Sequence, residues 1–229
     1  MATQYAGNSG YILKSGTGGW ASVRDATSGS AYDNPTSGRN SIGIYAQHAS
    51  GRGGSAYSLY RSFFYFDTSG ITNTLSSATL KIYGYGFGTA DVIAVKSDAF
   101  GGDGGTALAN ADFNNFDTST TYSSELATWS TSGYNDITLN ATALADIKNN
   151  NAFILCLMEH DYDYSDSAPS GAMVRSGVYY DNYTGTSRDP YIDYTLATGY
   201  GNTVNGVAAA DISKVNGVAT ADISKVNGT

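Results

Sequence analysis

Apolar residues return at every second position through the middle of this chain, a period that predicts β-strands. Ser77-Ala-Thr-Leu-Lys-Ile-Tyr83 alternates cleanly, Tyr57-Ser-Leu-Tyr-Arg-Ser-Phe-Phe-Tyr-Phe66 carries apolar groups on both faces, and Ala152-Phe-Ile-Leu-Cys-Leu-Met158 is apolar throughout. Period and turn signals together predict strands at 11–14, 20–25, 41–47, 57–66, 78–84, 91–97, 134–139, 152–158, 173–180 and 190–196, separated by loops rich in Gly, Asn, Asp and Ser. One helix is predicted: Asn140 caps Ala141-Thr-Ala-Leu-Ala-Asp-Ile-Lys148, and Asn149-Asn-Asn151 ends it. Loops 26–40 and 98–133 are long, and long loops in compact domains often carry function. Trp129 with Phe113, Phe116 and Tyr122 is expected to pack the second loop as a lid. The pattern is that of an all-β two-sheet sandwich over residues 11–198, after a polar lead-in at 1–10.

The chain then changes character. From Gly199 onward it reads Val-Asn-Gly-Val-Ala-Ala-Ala-Asp-Ile-Ser-Lys at 204–214 and repeats this at 215–225 with only Ala209 replaced by Thr220; a further Val226-Asn-Gly follows. Burying all of Val204, Val207, Ile212, Val215, Val218, Ile223 and Val226 would yield roughly 10–20 kcal/mol, less than the cost of about 1–2 kcal/mol for each backbone fixed. Such an arm cannot fold alone, so these seven residues are expected to dock onto another chain. An odd repeat would turn successive copies of one continuous strand to opposite faces. Asn-Gly at 205–206, 216–217 and 227–228 offers a tight turn or break in each copy. Short extended pieces added to a neighbouring sheet edge, or wound with identical arms, are therefore favoured over a helical supercoil. The alternative is a flexible linker.

Composition agrees with an all-β protein. Only 14% of residues are charged, and there are 19 Tyr against 8 Phe. The net charge of −8 and the absence of a basic cluster exclude nucleic acid as a partner. Cys156 is alone in its apolar run and reads as a buried core thiol. Met1-Ala-Thr-Gln-Tyr5 has no basic start and no apolar stretch follows, so neither a signal peptide nor a membrane span is read here. The sequons Asn140-Ala-Thr142 and Asn182-Tyr-Thr184 are then chance matches.

Catalytic chemistry has little support. His48 and His160 are the two histidines, without a Gly-x-Ser-x-Gly elbow, and Glu125 and Glu159 are the two glutamates; no enzyme and no cofactor are expected. Asp161, Asp163 and Asp166 supply carboxylates at a spacing that could serve Ca2+, but without the Gly and distal Glu of an EF-hand loop; a solvated acidic loop is the favoured reading. Asp103 among glycines reads as a turn. A glycan site needs an exposed aromatic platform with polar neighbours, for which Trp20, Trp129, Tyr179, Tyr180 and Tyr183 are candidates. The competing reading makes the two tryptophans core or loop anchors, and gives exposed tyrosines to a protein interface.

Arg61-Ser-Phe-Phe-Tyr-Phe-Asp67, a short loop with Ile71, and Ala78-Thr-Leu-Lys-Ile-Tyr83 resemble the DNRLRE type of jelly-roll domain. In that family an Arg-aromatic-Phe-Asp strand precedes an Ala-Thr-Leu-x-Leu strand. The strand at Asn135-Asp-Ile-Thr-Leu139, the short helix and the strand at 152–158 follow in the same order, so the resemblance covers roughly residues 10–197. It implies a jelly-roll β-sandwich with one short helix, used as a structural or carbohydrate-binding-like module on cell surfaces and in virions. The repeat is similar to segments recurring in structural proteins of tailed bacteriophages. Together these resemblances imply a non-catalytic virion surface protein: a capsid decoration, head fibre or tail appendage, assembled in a host cytoplasm. Its partners would be copies of itself or other virion proteins, with neither nucleic acid nor membrane. The alternatives are a carbohydrate-binding module for a host-surface glycan, and a filament subunit that polymerises by strand addition.

Overall fold

Strands with two buried faces can be stable only between two cores, and this requirement organises the fold. The computed structural model describes residues 1–51 and 54–197, with the backbone of 214–215 and 218–219. Twelve strands form one antiparallel system: β1 (Ala2–Tyr5), β2 (Asn8–Gly16), β3 (Ser30–Asp33), β4 (Arg39–Gly51), β5 (Gly54–Asp67), β6 (Leu75–Gly88), β7 (Val92–Ser97), β8 (Phe116–Thr121), β9 (Tyr134–Thr138), β10 (Ala152–Glu159), β11 (Met173–Tyr179) and β12 (Tyr191–Leu196). Hydrogen-bonded order runs β1-β12-β6-β11-β4-β5-β10-β7-β8, with β9 beside β6 and β2 joining β3 to β5. The β6–β11 pairing carries the first layer round into the second. The result is an all-β, sandwich-like fold.

Leu80, Ile82, Ile137 and Ile192 of the first layer meet Phe64, Phe66, Val92, Leu155 and Leu157 of the second in one buried core. The reverse face of the second layer buries Leu59, Phe63, Ile93, Val95, Ile154, Cys156 and Met158 under a second cover. The period-2 alternation of β5, β7 and β10 thus sends successive apolar side chains into two different cores. That is why their sequences read as nearly continuous apolar runs. Cys156 is fully buried, and burial pushes its thiol up.

The second cover consists of loops and short turns: α1 (Trp20–Arg24), short turns at Phe100–Gly102 and Asn110–Asn114, and a wide turn at His160–Tyr164. Arg61 stands at its centre on the core-facing side of β5, fully buried. Its Nε and Nη2 donate to the two carboxylate oxygens of Asp163 at 2.8 and 2.6 Å. Its remaining bonds go to the carbonyls of Phe113 and Arg24, and its guanidinium lies 4.2 and 4.5 Å from the Phe113 and Phe116 ring centres. One side chain therefore ties three cover segments to the sheet.

The structure corrects several sequence expectations. Of residues 20–25, expected as a strand, Trp20–Arg24 form the helix α1, because Trp20, Val23 and Arg24 at helical spacing all turn inward, to the sheet and the acidic turn. Val23 is buried, Trp20 packs on Tyr57, and Arg24 Nε donates to the Asp163 carbonyl at 2.8 Å. Among the described residues there are therefore two α-helices, α1 and the predicted one, rather than one. The lead-in contains β1, which pairs with β12 from Ala2↔Tyr194 to Tyr5↔Tyr191. The long loops contain β3 and β8, whose polar sequences SAYD and FDTSTT gave no alternation. The predicted helix is α2 (Ala141–Asn149), with Asn140 accepting from the Ala143 N–H at 3.0 Å. Phe113, Tyr122 and Trp129 are buried and pack their long loop against the cores. Among the described residues no helix is long and apolar enough to cross a membrane.

Candidate functional site

Alternation along β6 that sends Leu80 and Ile82 inward sends Tyr83, Tyr85 and Phe87 outward. Neighbouring strands add to this outer face in register, Tyr134 opposite Tyr83 and Tyr191 opposite Lys81, with Tyr5 opposite Tyr191. The rings form a continuous ribbon. Their centres are 5.5 Å apart from Tyr5 to Tyr191, 5.0 Å from Tyr191 to Tyr134, 5.1 Å from Tyr134 to Tyr83 and 5.4 Å from Tyr83 to Tyr179. Tyr85 and Tyr183 flank Tyr179 at 5.3 and 4.7 Å. Most of these pairs are edge-to-face, the arrangement that ring quadrupoles favour.

Three arginines lie on this ribbon. Arg39 sits 4.5 Å from the Tyr85 ring centre, Arg188 4.9 Å from that of Tyr179, and Arg175 3.4 Å from that of Phe87. The Tyr179 hydroxyl accepts from Arg188 Nη1 at 2.6 Å and from Arg39 Nη1 at 3.3 Å. Tyr179 is consequently only 3% exposed although it points away from both cores. Among the described residues none of the three arginines has a carboxylate partner. Tyr134 donates to the carbonyls of Ser187 and Asp189 at 3.1 and 3.2 Å, and burial beside other tyrosines pushes its hydroxyl well up. The ribbon thus combines a rigid, amphipathic surface with cations whose charge is unmatched.

The structure disperses the candidate glycan residues. Trp129 is buried, its Nε1 donating to the Gly177 carbonyl at 3.0 Å, and Tyr180 is fully buried in the core between the layers. These two and the covered Tyr179 cannot form an exposed platform. Trp20 is half-buried and donates to Asp166 at 3.1 Å, in a cluster with Tyr57; Tyr183 is half-buried in the ribbon. The sequence pointed to part of the ribbon through Tyr179 and Tyr183, named above as glycan candidates, and the alternation of β6 could have added Tyr83 and Tyr85; Tyr5, Tyr134 and Tyr191 gave no local signal.

The three acidic candidates also separate by task. Asp163 is the buried counter-ion of Arg61, Asp166 bonds Trp20 and lies 3.4 Å from Arg24 Nε, and Asp161 lies 3.1 Å from His160 Nδ1. A shared Ca2+ site at these three is therefore not formed: Asp163 is committed to a guanidinium. Glu125 joins His160 and Asp161 instead, with His160 Nδ1 3.5 Å from Glu125. His48 stacks on Tyr57 and accepts from the Gly171 N–H at 3.1 Å. The Asp103 carboxylate accepts from the Gly105 N–H at 2.8 Å, a turn as expected. Of the arm residues, Val215 and Val218 are paired along the backbone in a ladder between β13 (Lys214–Val215) and β14 (Val218–Ala219). Val204, Val207, Ile212, Ile223 and Val226 lie outside the described residues.

Glu159 caps the acidic turn by accepting from the N–H groups of Asp161, Tyr162 and Asp163 at 3.0, 2.7 and 3.3 Å. Burial outweighs these bonds, with Asp161 adding to it, and its carboxyl is pushed from 4.5 up to about 7. Nearby Asp91 is pushed the same way by burial, then by Asp161 and Glu125, while His160 pulls it down. As pH rises between the two Glu159 values, the unfolded chain gives up this proton first, so stability falls with rising pH. Going from about pH 5 to pH 8, Glu159 should cost about 2–3 kcal/mol. Urea unfolding at the two pH values should show the native protein less stable at the higher one, with Glu159→Gln removing the largest single contribution. An unchanged pH dependence in that variant would place its origin elsewhere.

No family model matches the chain, and no curated protein is similar to it.

Proposed function

We propose that this chain is a non-catalytic structural protein of a virion of the tailed-bacteriophage kind, a decoration, fibre or appendage. Its sandwich would present the tyrosine–arginine ribbon to a neighbouring protein, and its arm would dock onto adjacent subunits. The ribbon is the observation that carries this reading. Tyr and Arg are the residue types that dominate binding energy at protein interfaces, because they offer large contact area and fixed donors. The arm supports it: Lys214↔Ala219 and Val215↔Val218 pair as a two-stranded antiparallel ladder. An isolated two-stranded ladder is marginally stable in water, so this unit gains from pairing with another chain. The resemblance of the repeat to phage structural segments supplies the biological setting.

The test is the mass of the full chain and of a chain ending at Ala197, each with and without Arg188→Ala plus Tyr183→Ala. The full chain is expected to form oligomers or ordered polymers, and the shortened one to be a folded monomer. The double substitution should weaken association at least tenfold, since interface arginines and tyrosines commonly cost more than 1.4 kcal/mol each. Ordered polymers from the pure protein would favour the filament form of this reading. Association untouched by the ribbon substitutions would overturn the interface assigned to it.

The unmatched guanidinium groups of Arg39, Arg175 and Arg188 favour a second reading, a surface module for an acidic glycan. Uronate carboxylates would take the arginine donors while sugar rings lie on the tyrosines. Titration of the shortened chain with acidic and neutral oligosaccharides separates the two, because only this reading requires binding that salt and Arg188→Ala abolish.

A further inference from the structure

On one side of β6 the ladder to β9 runs out before the strand begins. Its last bond is at Ala78, whose carbonyl takes the Leu139 N–H at 3.0 Å, and the chain then turns into α2. Between α2 and the start of β6 lies an open groove of about 510 Å³. Its floor is Leu75, part of the core between the layers, and Leu144, which packs on that core. Along α2, Ala141, Leu144, Ala145 and Lys148 stand at i, i+3, i+4 and i+7, a second stripe beside the buried Ala143 and Ile147. The apolar part of this stripe gains from being covered.

The chain itself leads to the groove. Leu196, which pairs with Leu75, is 39% exposed, and the next residue, Ala197, donates its N–H to the carbonyl of Thr74 on the rim at 2.8 Å. Six residues, 198–203, separate this point from the first repeat. They reach at most about 20 Å, and α2, with nine residues, is about 13 Å long. The tether thus allows the repeat to enter the groove without strain. The repeat offers Val204, Val207 and Ile212 to the apolar floor, with Asp211 beside Ile212. Lys148, at the end of the stripe, has no carboxylate partner among the described residues.

We propose that this groove is the seat of the chain's own first repeat, residues 204–214, with its Val and Ile side chains over Leu144 and Ala145 and Asp211 against Lys148. Tethering favours the chain's own arm over a neighbour's, because a short linker holds the repeat at a high effective concentration beside the groove. The second repeat, 215–225, is then the copy carried outward to meet another subunit. The seat concerns one chain and does not rest on the virion reading.

Trypsin acting on the full chain tests this, because Lys214 and Lys225 stand in the same seven residues, Asp-Ile-Ser-Lys-Val-Asn-Gly. Early digestion followed by mass spectrometry should show cleavage after Lys214 slower than after Lys225 by about tenfold or more, in proportion to the time the seat is occupied. Ala141→Glu with Ala145→Glu should bring the two rates together without altering the circular dichroism of the sandwich. Both positions are exposed, and Glu is a good helix former. Equal rates in the parent protein overturn the seat. So does protection of Lys214 that survives both substitutions, which would assign it to the ladder between β13 and β14. Protection that appears only as the protein concentration is raised overturns it as well, since a second copy's arm would then fill the groove.

Discussion

Replacing Asp163 with Ala is expected to cost about 3–5 kcal/mol of stability, the range for leaving one member of a buried ion pair uncompensated. Arg61 is wholly inside the protein and spends two donors on Asp163 and two on backbone carbonyls of Phe113 and Arg24. Without the carboxylate, a guanidinium remains buried against Phe113 and Phe116, whose ring faces attract it by about 2 kcal/mol or more but supply no counter-charge. Arg61→Met should cost less than Asp163→Ala. Methionine fills the apolar space, and Asp163 lies beside Arg24, with Nε 4.0 Å from its carboxylate. Combining Arg61→Met with Asp163→Leu should recover part of the loss, as paired replacement of buried ions commonly does. Urea unfolding followed by fluorescence checks this order, and Trp20, which bonds to the same acidic turn, should report loosening of the cover. A loss below about 1 kcal/mol for Asp163→Ala would mean that the cover is held by apolar packing alone.

Arg61 also shows what the sequence does and does not disclose. An arginine on the apolar face of an aromatic strand is visible at once, and burial of Phe63, Phe64 and Phe66 around it follows from their alternation. Its partner lies 102 positions away in an acidic run that reads equally well as a metal loop or a solvated one. Local pattern has no access to that pairing. β5, β6 and β10 were legible because packing on their faces imposes the period. β1, β3 and β8 were not, since they are short, polar strands that take their conformation from backbone pairing with a neighbour. Residues 20–24 fell between periods, too short for a helical face to be distinguished from alternation.

The ribbon was hidden for a related reason. Tyr83 and Tyr85 are neighbours in sequence, but Tyr5, Tyr134 and Tyr191 join them only through the order β1-β12-β6-β9. The same topology withdraws Trp129 and Tyr180 from the surface, so aromatic identity alone misplaces the exposed set. Register decides which tyrosines face water, and register is a property of the assembled sheet.

Register at the bend rests on Gly177, and Gly177→Ala is expected to be among the most damaging small substitutions in the domain. A Cβ there would lie 1.6 Å from the Tyr85 carbonyl oxygen and 2.8 Å from Ser41 Cα, both backbone atoms that no rotamer change can clear. This is where β11 slips register against β4 and β6 between Ser176 and Val178, and where Trp129 bonds to the Gly177 carbonyl. Relief requires the strands on either side to separate, at an expected cost above about 3 kcal/mol, a sizeable share of a total near 5–15 kcal/mol. The melting temperature should fall by roughly 10 °C or more. Gly70→Ala is the control: a Cβ there meets nothing within 4 Å, so the change should stay within about 0.5 kcal/mol of neutral, or stabilise slightly through the unfolded state. Because the displaced atom belongs to Tyr85, damage should reach the ribbon, pulling Tyr85 from Tyr179 and loosening the seat of Arg39. Near-ultraviolet circular dichroism of the still-folded fraction would register that change in the tyrosine bands. A Gly177→Ala protein with parental stability and an unaltered aromatic spectrum would show that the bend tolerates a side chain and that the ribbon does not depend on this close approach.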